Sequence, residues 1–326
     1  MQIETLCTPG NVDRINEDAV LTHQESNTLT AAAIDGVTAR IPAQAITSLF
    51  RDGQNGAAWA AQTTREAILR SAPGTAPRDM LLAANDMLRV QLRGVYGKLD
   101  GPSVFAREPG LAPYADDPRM IRLALPACVA TLIRIDVTSK GLIYAHTGDT
   151  SLLLFHADKS VSVAVGDDGR VSSGGLFDKA KQIQQERGLQ SVDDALVLPE
   201  IREGMLKGGI HLNYVDEDGQ PHPKRGVGAI NGLPELKHYI QVGMADLSAV
   251  VGVLVCTDGL MWPAKPDETD MQVINRLRGM RHLIEAHGLH GYYEHLRIEE
   301  RNDADRDRYP RFKIHDDAGG VYIDLR

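Results

Sequence analysis

Apolar and polar positions divide the chain into short β-branched runs and longer stretches of helical period. Six runs read as strands, apolar or alternating and closed by turn residues: 29–34, 127–136, 141–146, 151–156, 249–257 and 319–325. Helical spacing predicts 57–70 and 77–92 between the first two runs. The second of these opens on Pro77, with Asp79 in its first turn. Another helical pair, 267–287 and 290–301, is predicted between the last two runs. The order is strand, two helices, several strands, irregular chain, strand, two helices, strand. A regular βαβα alternation is absent, which disfavours a doubly wound parallel sheet and predicts a layered α+β fold.

Two stretches, 94–117 and 204–224, are rich in Gly with Pro or charge and read as loops or insertions. No internal repeat, low-complexity tract or composition shift marks a boundary. The chain therefore reads as one domain over 1–326, with insertions near 94–117 and 166–236.

Composition narrows the function. Of 326 residues, 43% are hydrophobic and 24% charged, ordinary values for a globular protein with a sizeable core. The net charge of −9 and a pI of 5.7 argue against a general nucleic-acid binder and leave no polybasic anchor for a membrane surface. The opening MQIETLCTPG has no basic, apolar signal pattern, and no run approaches the roughly 18 apolar residues of a membrane span. Cys7, Cys128 and Cys256 are odd in number and widely spaced. The last two lie in apolar runs and read as buried free thiols, so a reducing cytoplasm is expected.

The candidate chemistry lies in acidic residues at strand ends. Glu17 and Asp18 precede a short apolar run, and Asp35-Gly36 and Asp258-Gly259 close two strands. Asp316 and Asp317 stand just before the last one. An Asp-Gly pair is by itself a common turn, and an acidic pair is commonly solvated surface. Placed together at strand ends, such residues suit a hard cation: Mg²⁺ and Mn²⁺ prefer oxygen ligands, and a following Gly lets the backbone carbonyl approach. Two such ions can activate water and clamp a phosphoryl group.

In order along the chain, NEDA, AIDG, VATLIRI, YAHTGDTSLLLF, CTDGL and DDAGGVYI resemble the motifs of the metal-dependent protein phosphatase 2C family, from about residue 8 to 325. The resemblance implies a four-layer α-β-β-α sandwich, two antiparallel sheets flanked by helix pairs, with a binuclear Mg²⁺ or Mn²⁺ site at one end. It implies that Asp35 bridges both ions, that the Gly36 carbonyl binds one, and that Asp258 and Asp316 bind the other. Glu17 and Asp18 would act mostly through water, and Asp149 matches a ligand of a weaker third ion. Arg14 resembles the phosphate-binding arginine, and Arg14, Asp35 and Asp258 are the residues expected to carry catalysis. The implied substrate is a phosphoserine or phosphothreonine protein. A small-molecule phosphomonoester, or a regulatory module that binds a phosphoprotein with little turnover, are the alternatives.

The chain departs from the family pattern at several points. Val37 follows Asp35-Gly36, where some members carry a histidine proposed as general acid. TGDTS lacks a following arginine. Trp262 replaces a further acidic ligand in some members, so a third ion is the doubtful one. Arg14 precedes Glu17 by one residue fewer than is common, a difference that a strand bulge could absorb. The variable 166–236 region is where substrate choice is expected.

Two patterns invite other chemistry. His282, His287, His290 and His295 lack the four-residue spacing of a helical zinc pair and read as surface residues. GVGAING, 226–232, lacks dinucleotide-loop spacing and reads as turns near the flap.

Overall fold

The computed structural model describes residues 1–41, 43–48, 55–166 and 174–326. Among the described residues ten strands form two antiparallel sheets: β1 Gln2–Thr8, β2 Ala19–Glu25, β3 Thr28–Val37, β4 Ala127–Asp136, β5 Gly141–Thr147, β6 Ser151–His156, β7 Val161–Val165, β8 Gln241–Asp246, β9 Val250–Cys256 and β10 Ala318–Asp324. One sheet runs β1-β10-β9-β6-β7 and the other β2-β3-β4-β5-β8. The helices are α1 Gln44–Thr47, α2 Gly56–Leu69, α3 Pro77–Tyr96, α4 Gly101–Phe105, α5 Gly174–Arg187, α6 Val192–Leu196, α7 Pro199–Gly209 and α8 Asp270–Arg301.

β3 shows why the layers form. It is buried on both faces, so its sequence is a continuous apolar run rather than an alternation. Leu29, Ala31 and Ala33 face the core between the sheets, against Val253, Val255 and Val321. Ala32 and Ile34 face outward into a second core with Leu81, Leu88 and Leu92 of α3. Small residues on both sides, Ala60 and Ala61 of α2 included, let this helix pair approach the sheet closely. On the opposite side, Tyr322 of β10 packs in a third core with Met280, Ile284 and Tyr292 of α8. The result is the implied four-layer α-β-β-α sandwich, flanked by α2 and α3 on one side and α8 on the other.

α8 resolves into the two predicted helices, because the chain breaks at Gly288, with φ of 71° and ψ of 176°. A side chain there would be doubly unfavourable: φ lies in the left-handed range, and a Cβ would sit 2.8 Å from Glu4 Oε2. The freed amide of Leu289 donates to that same carboxylate at 2.8 Å, so Glu4 of β1 caps the second half.

The irregular stretches also fold around polar anchors. After α3, the 94–117 insertion holds α4 and a 3₁₀ segment at Pro109–Tyr114. Buried Glu108 accepts the Gln44 and Ala45 amides at the start of α1 and the Tyr96 hydroxyl. In 166–236, the helices α5, α6 and α7 close a small core of their own on Phe177, Ile183 and Ile201. Residues 167–173 of that predicted insertion lie outside the described residues. GVGAING forms turns and isolated bridges, with Ile230 paired to Cys128 of β4.

Candidate active site

The two antiparallel sheets bring distant acidic residues to one end of the sandwich. β2 begins just after Asp18 and pairs with β3 at Ala19 and Ile34, while β3 runs on through Asp35 and Gly36. β9 ends at Cys256, two residues before Asp258, and Cys256 pairs with Gly320 of β10, which starts just after Asp317. Ser151, at the start of β6, also pairs with Cys256, so the β5–β6 turn carries Asp149 to the same end.

The glycines of the two Asp-Gly pairs have a packing reason. A Cβ on Gly36 would lie 2.5 Å from the Glu17 carbonyl oxygen, and one on Gly259 would lie 1.8 Å from that of Asp317. A Cβ on Gly10 would meet the Asp316 carbonyl carbon at 2.5 Å. The backbones that carry the acidic residues therefore touch, and only glycine allows it.

Neighbouring carboxylates do different work. Both oxygens of Asp317 are taken by backbone: Oδ1 accepts the Gly10 amide at 2.7 Å and Oδ2 the Glu17 amide at 2.6 Å. Asp317 thus clasps the β1–β2 loop to the start of β10. Among the described residues Asp316 has no such engagement of both oxygens. Its Oδ1 meets Lys313 Nζ at 2.6 Å and the Asp317 amide at 2.9 Å. Asp18 is buried and accepts the Thr257 hydroxyl at 2.7 Å, while that hydroxyl receives the Gly319 amide at 2.8 Å. Glu17 Oε1 accepts Asn55 Nδ2 at 2.6 Å and Oε2 accepts the Thr38 hydroxyl. Asn55 in turn caps α2 through the Ala58 amide, which ties Glu17 to the helix start.

These groups feel one another strongly. Burial, then the charges of Asp18, Asp258, Asp149 and Asp316, hold the Asp35 carboxyl well above the usual range. Asp18 is raised in the same direction by burial and by Asp258, Asp317 and Asp316, against the opposing Thr257 bond. Asp258 opens to solvent on one side, yet the surrounding protein and the charges of Asp149 and Asp316 push it up to about 7. A hydrogen bond with Asp35 works against that rise. Burial raises Glu17 as well. A cluster of oxygen donors that repel one another in this way matches the preference of a hard divalent cation. Among the described residues, however, no three acidic, histidine or cysteine side chains converge as a finished metal cage.

Other expected residues fall elsewhere. Arg14 is exposed in the irregular loop between β1 and β2, and its amide closes a turn on the Asn11 carbonyl. Among the described residues none of the clustered carboxylates pairs with its guanidinium. The short Arg14–Glu17 spacing is taken up by that loop and not by a strand bulge, because no strand runs there. Val37 packs with Ala127, Val129 and Ala229. Trp262 packs against Tyr292 of α8, with ring centroids 6.1 Å apart, so it serves the outer core. The four histidines are exposed on α8, where His287 and His295 stack on each other at 4.9 Å.

Sequence reasoning missed two basic residues. Lys313 sits on Asp316, and Arg40, beyond β3, feels the charge of Asp149. Neither belongs to a periodic run. The one available signal for Lys313 was its place three residues before an acidic pair.

Comparison with known proteins agrees with this architecture. The sequence profile of the protein phosphatase 2C family matches residues 11–288. No curated protein matches. Among solved structures, the chain is similar to a bacterial serine phosphatase at 13% identity and a TM-score of 0.50, covering 100% of this chain and 98% of that one. It also aligns with the Mycobacterium tuberculosis serine/threonine phosphatase PstP/Ppp, at 17% identity, a TM-score of 0.46, and coverage of 100% and 98%. RsbX in complex with magnesium aligns at 10% identity and a TM-score of 0.44, covering 98% and 92%. At such identities the likeness is one of fold, and the family rests on the profile match, which spans the residues from Glu17 to Asp258. On that match the chain belongs to the protein phosphatase 2C family.

Proposed function

We propose that the chain is one domain over 1–326 that hydrolyses phosphomonoesters with divalent metal, acting on phosphoserine or phosphothreonine in proteins. The supporting observation is the gathering of Asp18, Asp35, Asp258 and Asp316 at one end of two sheets, close enough to raise the protonation of Asp18, Asp35 and Asp258. Asp35, the Gly36 carbonyl, Asp258 and Asp316 would hold two Mg²⁺ or Mn²⁺ ions, with Asp149 the candidate for a third. Bound there, the ions supply Lewis acidity toward phosphoryl oxygens and toward an attacking water.

The chain's own groups do the rest. Burial and mutual repulsion favour protonated Asp35 and Asp258 in the metal-free site, so these carboxyls would give up protons on binding a divalent ion. Thr257, Thr38 and Asn55 keep Asp18 and Glu17 in fixed orientations at the rim. Arg14, exposed on the β1–β2 loop that Asp317 clasps, would meet phosphate oxygens in bidentate fashion. Helix α7 comes close to Arg40, which follows β3, since a Cβ on Gly209 would lie 3.1 Å from Arg40 Cγ, and substrate choice is assigned to that helical insertion. No helix among the described residues is long and apolar enough to cross a membrane. The free thiols of Cys128 and Cys256 favour a reducing compartment such as the cytoplasm.

The test is hydrolysis of a chromogenic phosphomonoester and of phosphopeptides, with Mn²⁺, with chelator, and with Asp35→Asn. Activity should require Mn²⁺, and Asp35→Asn should lower it by about 100-fold or more. Activity indifferent to chelation would contradict the reading. A second reading, a phosphoprotein-binding module with little turnover, is favoured by Val37, which cannot serve as a general acid after Asp35-Gly36. Metal binding without turnover would support it.

A further inference from the structure

Among the clustered carboxylates, Asp316 carries an ammonium. Lys313 Nζ lies 2.6 Å from its Oδ1, and the same charge also reaches Glu17 and Asp258. An exposed lysine would ordinarily sample many rotamers and hold no carboxylate firmly. Here the backbone around it is fastened on both sides. Arg306 Nη1 donates to the Phe312 carbonyl at 3.0 Å, and Arg311 Nε donates to that of Ile314 at 3.1 Å. Arg306 is buried and paired with Asp193 of α6 at 2.9 Å, and Arg311 with Asp303 at 2.8 Å. Phe312 meets Phe177 of α5 edge-on, with centroids 6.0 Å apart. Farther along, Arg297 Nη2 holds the Asp316 carbonyl at 2.6 Å. The segment that presents Lys313, between α8 and β10, is thus held against α5, α6 and the end of α8, and it delivers the ammonium to one oxygen.

We propose that Lys313 is a tethered cation that sets the metal affinity of this site. It neutralises Asp316 in the metal-free protein, and a divalent ion drawn to that carboxylate meets the repulsion of the ammonium already on Oδ1. Metal binding at Asp316 is therefore a competition with an internal charge. The proposal rests on the metal-dependent reading above, and it concerns a positioning residue rather than one that touches the reacting atoms. Because the pair is partly solvated, the effect is moderate.

The experiment is calorimetric titration of Mn²⁺ into the full chain, as wild type, Lys313→Met and Lys313→Arg, with thermal melting of each metal-free protein. Lys313→Met keeps the length of the side chain and removes the charge. It should bind Mn²⁺ about fivefold more tightly, melt lower without metal, and gain more on Mn²⁺ addition, while Lys313→Arg stays near wild type. A purely structural lysine would lower melting without tightening the metal. Equal or weaker Mn²⁺ affinity in Lys313→Met overturns the proposal alone. Absence of Mn²⁺ binding to both wild type and Lys313→Met overturns the metal reading and the proposal with it.

Discussion

Asp316 and Asp317 are adjacent and chemically identical, yet the fold gives them opposite tasks. Asp317 spends both oxygens on backbone amides of the β1–β2 loop, whereas Asp316 turns one oxygen to Lys313. Asp317→Asn replaces one acceptor by a donor facing an N–H, so it should cost about 1–3 kcal/mol of stability in urea unfolding. Asp316→Asn gives up only the partly solvated Lys313 pair, so it should cost less than Asp317→Asn, about 1 kcal/mol or below, and weaken Mn²⁺ binding in titration. Reversed effects would show that the two roles are exchanged. Gly259→Ala would place a Cβ 1.8 Å from the Asp317 carbonyl oxygen. It should destabilise by about 1–3 kcal/mol, as overpacking does, and lower metal affinity because Asp316 and Asp317 must shift. At this scale the acidic residues and their glycines were legible in the sequence, because each sits where an apolar run stops or starts. Lys313 was not, since its role depends on arginines of the irregular 302–317 chain and on partners brought from α5, α6 and α8.

Among the strands, legibility follows position in the sheet. All six predicted strands are interior ones: β3, β4 and β5 in one sheet, β6, β9 and β10 in the other. The four without a prediction, β1, β2, β7 and β8, are the four sheet edges. An interior strand buried on both faces must be apolar throughout, and that shows in the sequence. An edge strand is bonded on one side and partly solvated, as in QIETLCT and QVGMAD, so its pattern is diluted by polar residues. Helix ends were read within a few residues, and the break in α8 fell between the predicted pair. Gly288→Ala should cost about 1 kcal/mol or more, because φ is positive and the Glu4 carboxylate occupies the space, as read from a urea midpoint. Should the midpoint rise instead, the two halves of α8 would prefer to be continuous.

Over the whole molecule, the site sets fold stability against function. Asp18, Asp35 and Asp258 carry carboxyls raised above their unfolded values near 3.9. The folded, metal-free protein then binds more protons than the unfolded chain between about pH 4 and 7. The contribution of these groups is present at low pH and is lost as pH rises toward the Asp258 value of about 7. Without metal, melting of wild type should fall relative to Asp258→Asn as pH rises from 5 to 7.5. With Mn²⁺ the trend should invert, because the ion displaces protons and its affinity grows with pH through the same range. A metal-free difference that is flat with pH would exclude the carboxyl crowding.

We propose above that these strand-end carboxylates hold divalent ions. Anomalous scattering from crystals grown with Mn²⁺ tests it directly. Two peaks are expected, both within coordination distance of Asp35, with Asp258 and Asp316 on one of them. An empty site, or manganese found only away from these residues, would contradict the account.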